Sequence, residues 1–184
     1  MSVKKTMGII IAIGIVAILA FGFFLYATIK TKSTRISHYA PFKQWMDKTV
    51  TLDKETVLVS EKVRLYPANG YPYLLLDSLH PDWAYIEERM QLGDYVLVEK
   101  FPAGTSFHIE KAVQFTGGVS GSSTPFVFGK IHYGGKNYGT AYQWGTMDIV
   151  KFMDKVDESW HFHQAPWQPK ADSVFYALPE ARWW

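Results

Sequence analysis

The sequence predicts a mainly β protein of the β-rich α+β kind: one N-terminal transmembrane helix, then a small antiparallel barrel or curled sheet with two or three short helices. Three observations predict it. Residues 8–29 contain no charged side chain. From residue 49 onward, short runs of β-branched and aromatic residues alternate with turn residues. Residues 104–145 hold nine of the 14 glycines but only one acid, Glu110, a composition of loops and hairpins rather than helices.

The apolar run covers about 22 residues. At ~1.5 Å per residue that is roughly 33 Å of helix, enough for a hydrocarbon core of roughly 30 Å. A core helix of a soluble protein rarely stays apolar on every face for so long. A secretory signal has a shorter apolar region and small residues at its cleavage site. Cuts after Ala20 or Ala27 would place bulky Ile18 or Leu25 at the −3 position. The chain has no cysteine, which excludes processing at a lipidated Cys. An uncleaved anchor is expected.

Lys4 and Lys5 precede the span, and Lys30, Lys32 and Arg35 follow it. With the free amino terminus the two flanks balance, so the positive-inside rule does not decide orientation. Length does. A short tail, residues 1–7, stays in the cytoplasm easily, and a long C-terminal domain translocates largely regardless of charge. The expectation is a single-pass protein of the inner (cytoplasmic) membrane with residues 8–29 as the span, residues 30–40 as a polar stalk and residues 41–184 as the domain outside.

The 149 residues after Arg35 suffice for one ordinary core. They carry all 17 acids but only 14 of the 19 basic residues, a net −3. Nucleic acid is not expected as a partner, since it calls for a basic face. The absence of cysteine also excludes disulfides, Cys nucleophiles and thiolate metal sites.

Pro41 suits the first turn of a brief helix, residues 41–47. Residues 49–52 and 56–59 read as strands around a turn at 53–55. Residues 63–66 read as a strand before a turn at 67–70, and 71–76 as another strand. A helix is predicted over residues 81–90, capped by Ser78 or His80 and ended by Gly93. Trp83, Ile86 and Met90 share its buried face. Residues 95–98 read as a strand, 101–104 as a turn, and 106–115 as a strand alternating through Phe107, Ile109, Ala112 or Val113, and Phe115. Residues 117–124 read as a flexible loop. Residues 126–133 and 138–144 form a predicted hairpin around Gly-Gly-Lys-Asn at 134–137. Thr146 is placed as the cap of a helix over 147–156, with Val150, Met153 and Val156 at helical spacing.

Catalytic motifs are missing: no Gly-x-Gly-x-x-Gly, no P-loop, no His-Glu-x-x-His, no Gly-x-Ser-x-Gly. Gly118, Ser120 and Gly121 only resemble a nucleophile elbow, with the wrong spacing. His161 and His163 are the best metal candidates, because residues two apart on a strand point the same way. No third ligand stands at a recognised spacing, so no metal or other cofactor is called for. Glu87 and Glu88 diverge around a helix and read as a solvated face.

The positive feature is aromatic content: all seven tryptophans lie outside the membrane segment. Most such rings fill the core of an antiparallel domain. Tyr133, Tyr138, Tyr142 and Trp144 lie beside glycines in a weakly charged hairpin, and with Gly118, Ser120 and Ser122 of the loop they form the expected binding surface. Trp183 and Trp184 suit either a membrane interface or the core. The expected function is a non-catalytic interaction domain tethered in the cell envelope, an accessory subunit or immunity-type protein with a protein partner near the membrane. A glycan- or peptidoglycan-binding module is the alternative, and an envelope hydrolase a third reading.

Overall fold

A computed structural model of the chain describes residues 3–62 and 70–179. The strand expected over residues 63–66, most of the turn after it and the Trp183-Trp184 end lie outside the described residues. Helix α1 (Val3–Ile29) runs as one piece, so the short tail before the apolar run is helical from Val3. Its segment Lys5–Ile29 is long and apolar enough to cross a membrane, and none of it is buried by the rest of the protein.

The stretch read as a stalk, residues 30–40, is instead part of the domain. Strand β1 (Lys32–Arg35) begins almost at once after the helix. It pairs antiparallel with β6 (Ser106–Thr116), placing Lys32 opposite Thr116 and Arg35 opposite Val113. Ile36 just beyond it is fully buried. The polar composition belongs to an edge strand with one wet side, not to a linker.

A 3₁₀ turn (Phe42–Gln44) replaces the brief helix expected over 41–47. Strand β2 (Lys48–Thr51) follows, and it does not fold back onto β3 (Thr56–Glu61) as the turn-like residues 53–55 suggested. It pairs with β6 on the same edge as β1, with Lys48 opposite Ile109. Strand β3 lies between β4 (Tyr73–Asp77) and β5 (Tyr95–Phe101). Strands β6, β7 (Ser123–Tyr133) and β8 (Lys136–Gln143) form an antiparallel meander. The two groups are joined by a parallel contact of two residue pairs, Tyr73 with Thr140 and Leu74 with Ala141. The sheet is therefore mixed rather than antiparallel, and no barrel closes among the described residues; the order is β1-β6-β7-β8-β4-β3-β5, with β2 beside β6.

Strand β3 explains its own apolar run. Thr56, Val57, Leu58 and Val59 are all buried because both faces of the strand are covered. Val57 and Val59 meet Leu76 and Ile86 of helix α2 (Trp83–Gln91), while Leu58 joins Leu75 and Phe101 on the other side. On α2 only Ile86 is fully buried; Trp83 and Met90 are half-buried against the same cluster. The helix begins after Asp82, not Ser78 or His80.

Strand β6 changes face at a bulge between Ile109 and Lys111. Phe107 and Ile109 enter the main core, and beyond the bulge Ala112 does, so Val113 and Phe115 turn to the opposite side. The β7–β8 hairpin closes on Gly134 and Gly135, both at positive φ, as a two-residue turn demands.

Thr146 does not cap a helix; it lies in β9 (Thr146–Met147), paired with β10 (Trp160–His161). The cap is Asp148, whose carboxylate accepts from the Lys151 amide at 3.1 Å, and helix α3 (Ile149–Met153) is correspondingly short. Across the sheet lies the C-terminal segment, whose Trp160, Phe162 and Trp167 close over Phe42, Tyr142 and Trp144.

Candidate functional site

The expected aromatic surface is largely interior. Tyr142 and Trp144 are fully buried and Tyr138 is 6% exposed, so three of the four hairpin rings belong to the core and cannot meet a partner. The reason is the pleat: residues 138, 142 and 144 share the face that the C-terminal segment covers. Only Tyr133, packed edge-on against Phe101 at 5.4 Å, stays exposed. Gly118, Ser120 and Ser122 lie in the turn joining β6 to β7, closed by the Gly117 amide on the Ser122 carbonyl at 2.9 Å. Gly118 presses onto the end of α1: a Cβ there would overlap the carbonyls of Thr28 and Ile29.

The two histidines do not act as a pair. His161 is exposed on β10 beside Phe175, while His163 turns inward to Tyr142. Among the described residues no three His, Cys, Asp or Glu side chains gather to hold a metal ion.

His163 belongs to a buried polar group with His80, Asp77 and Tyr142. The Tyr142 hydroxyl has one hydrogen and donates it to Asp77 Oδ2 at 3.0 Å. The 3.1 Å contact with His163 Nε2 must then be donated by that ring nitrogen, which leaves Nδ1 bare and unpartnered. His80 donates from Nε2 to the Gln143 carbonyl at 2.9 Å and accepts the Asp82 amide on Nδ1 at 3.1 Å. Both rings are neutral. Burial lowers the His80 pKa, and burial with the neighbouring His80 lowers that of His163 to about 3. The Tyr142 hydroxyl is pushed up by burial and by Asp77. Asp77 and Tyr142 are fully buried and His80 nearly so, so the group fixes the Asp77–His80 turn and β8 to the C-terminal segment.

One open cleft lies elsewhere, at the seam where β4 meets β8. Strands β4 and β8 share two residue pairs there, and Asp82, Tyr85 and Ile86 stand across from Leu74, Ala141 and Gln143. The result is a cleft of about 290 Å³ lined by Tyr71, Tyr73, Tyr85, Tyr95, Phe126 and Phe128, with Glu61, Asp82 and Gln143 as its polar groups. Gly139 permits the arrangement, since a Cβ there would overlap the Gly70 carbonyl and force the Tyr71 segment off β8.

Two of the cleft's tyrosine hydroxyls are held by carboxylates. Tyr95 donates to Glu61 at 3.1 Å and Tyr71 donates to Glu110 at 2.6 Å. Burial first, and the carboxylate second, raise both phenols, Tyr71 to about 12. Burial alone would raise the Glu110 pKa, but hydrogen bonds from Lys130 and Tyr71 outweigh it and the net shift is downward. The Lys111 ammonium lies 4.5 Å above the Tyr71 ring. Tyr85 is more than half exposed on α2, with the Arg89 guanidinium 6.0 Å from its ring centre. Among the described residues, two carboxylates and no basic residue line the cleft.

Compared with known proteins, the chain matches no family model, no curated protein and no solved structure. Function rests on the site itself.

Sequence reasoning missed this cleft because its wall comes from six separated segments. One local signal was present: Asp82 and Tyr85, three apart, share a face of α2 beside the buried Ile86.

Proposed function

We propose that the protein is a non-catalytic recognition domain anchored in the cell envelope, and that the tyrosine cleft binds a neutral or cationic saccharide. The observation that carries the reading is the lining: rings for the C–H faces of sugar rings, and Glu61, Asp82 and Gln143 as acceptors for hydroxyl or amino groups. Two carboxylates, with no basic residue in the described lining, disfavour an acidic ligand. Helix α1 is the uncleaved anchor, with the N-terminus in the cytoplasm and the domain outside. Support for retention is the packing of Gly118 onto Thr28 and Ile29 and the entry into β1 three residues after the helix.

The test is titration of the full chain in detergent with an N-acetylglucosamine trimer, a glucosamine trimer and an anionic galacturonate trimer, read by calorimetry. The first two should bind and the third should not. Tyr85→Ala should abolish binding, and Tyr133→Ala, outside the cleft, should leave it intact. Binding of the acidic trimer alone, or binding indifferent to Tyr85, would refute the assignment.

A protein partner is the second reading, favoured by the outer edge of β5. That strand pairs only with β3 among the described residues, and its Val96 and Leu97 are exposed side by side. An unpaired strand edge with apolar side chains suits addition of a partner's strand.

A further inference from the structure

Helix α3 is the least buried apolar element of the domain. Ile149, Val150 and Met153 are each at least 65% exposed, Phe152 is 47% exposed, and Val156 beyond the helix is 39% exposed. The single lysine of the helix does not dilute this face, because the Lys151 ammonium lies 4.2 Å over the Phe175 ring and is drawn back onto the protein. Five apolar side chains exposed within eight consecutive residues mark an interaction surface.

Its position names the partner. Phe152, Met153 and Val156 line a depression whose other wall is Gly121 and Ser123, in and beside the β6–β7 turn. The same turn rests, through Gly118, on the last residues of α1. At its tip Val119 is 80% exposed. The exposed apolar residues of α3, and Val119, thus border the turn that touches the end of α1, with Lys155 and Asp157 also lining the depression.

We infer that this border, α3 together with Val119, lies in the headgroup layer of the bilayer that α1 spans, so that the domain rests on the membrane on a second, shallow foot. The inference depends on α1 being a retained membrane anchor. A short apolar helix held at the level where a spanning helix leaves the hydrocarbon has its side chains at the headgroup–acyl boundary, where amphipathic segments are stable. The opposite end of the domain is far away. At ~3.3 Å per residue the eleven-residue β7 carries the Gly134–Gly135 turn roughly 35 Å from the β6–β7 turn.

The chain has no cysteine, so single replacements can be nitroxide-labelled in the full protein, reconstituted in phosphatidylcholine vesicles. Four sites suffice: Leu19→Cys in the span, Val150→Cys and Met153→Cys on α3, and Lys136→Cys at the far turn. Collisions with oxygen, which partitions into lipid, are compared with those of a water-soluble nickel complex. The labels at 150 and 153 should lose most of their nickel accessibility relative to 136, with a depth between those of 136 and 19. Labels at 150 and 153 as accessible to nickel as 136, with 19 still in lipid, would overturn the foot while sparing the anchor. A label at 19 exposed to water would overturn both. Strong spin–spin broadening at 150 would show that a second copy, not lipid, covers α3.

Discussion

The Tyr142 hydroxyl donates its hydrogen to Asp77 Oδ2, and both residues are fully buried. Asp77 Oδ1 accepts the Leu79 amide at 2.8 Å, so the carboxylate is held from both sides. Tyr142→Phe keeps the ring and removes one donor to a buried charge. The expected cost is about 1–3 kcal/mol in chemical denaturation. A change within about 0.3 kcal/mol would mean that water replaces the hydroxyl and that Asp77 is not sealed.

His163 and His80 make the fold sensitive to acid. Their folded pKa values are lowered, so the unfolded chain binds more protons once pH falls below about 6.5. The stability they contribute is complete above that value and declines as pH falls toward 3, where His163 itself charges in the fold. Each histidine adds up to about 1.4 kcal/mol per pH unit to the slope. Denaturation measured from pH 7.5 to 5 should show that slope, and His163→Gln should flatten it. An unchanged slope in the variant would remove His163 from the account.

Burial ranks two tryptophans. Trp144 is fully enclosed, and its indole N–H donates to the His163 carbonyl at 2.7 Å. Trp144→Ala should destabilise the domain by about 3–5 kcal/mol. Trp83 is only half-buried on α2, and Trp83→Ala should cost about 1–2 kcal/mol. Equal losses would contradict the placement of α2.

Glu110 ties two sheet neighbours together, accepting from Tyr71 on one oxygen and from Lys130 at 2.8 Å on the other. Its folded pKa is depressed, so its contribution is present above about 4.5 and lost as pH falls through the lower folded value. The lysine is well exposed, so the whole effect is modest. Glu110→Gln should lower stability by about 1 kcal/mol at pH 7, and the two proteins should converge once pH falls below the folded value. A gap that persists in acid would point to packing rather than charge.

The membrane helix should remain on the purified protein. Mass spectrometry of the chain extracted from membranes should find residues 8–29 still attached, whereas a mature N-terminus near residue 21 or 28 would show cleavage and remove the anchor.

What was legible in the sequence was what local chemistry decides. Helix α1 needs only an unbroken apolar run, and the β7–β8 hairpin needs only Gly134 and Gly135 between alternating strands. Helix α2 could be placed by the spacing of Trp83, Ile86 and Met90. The pairings of β1 and β2 were hidden, because Lys-Ser-Thr-Arg has the composition of a linker and its partner lies eighty residues on. The inward turn of Tyr138, Tyr142 and Trp144 was hidden too. Alternation shows that these residues share a face but not which face the C-terminal segment will cover. Val150, Met153 and Val156 had the spacing of a core helix, yet they are exposed, because a periodic stripe does not say what it packs against.

The pairing of β1 with the end of β6 also constrains biogenesis. Lys32 emerges directly behind the membrane segment, but its partner Thr116 is made much later. Until then the first strand has nothing to pair with, and the growing chain is fixed to the bilayer at one end with its strand edges bare. Long-range pairings of this kind are slow to form and exposed to misassembly. With α1 as the retained anchor proposed above, the pairing of β1 waits on the synthesis of β6, and a chaperone acting at the membrane surface would meet this domain while β1 is still unpaired.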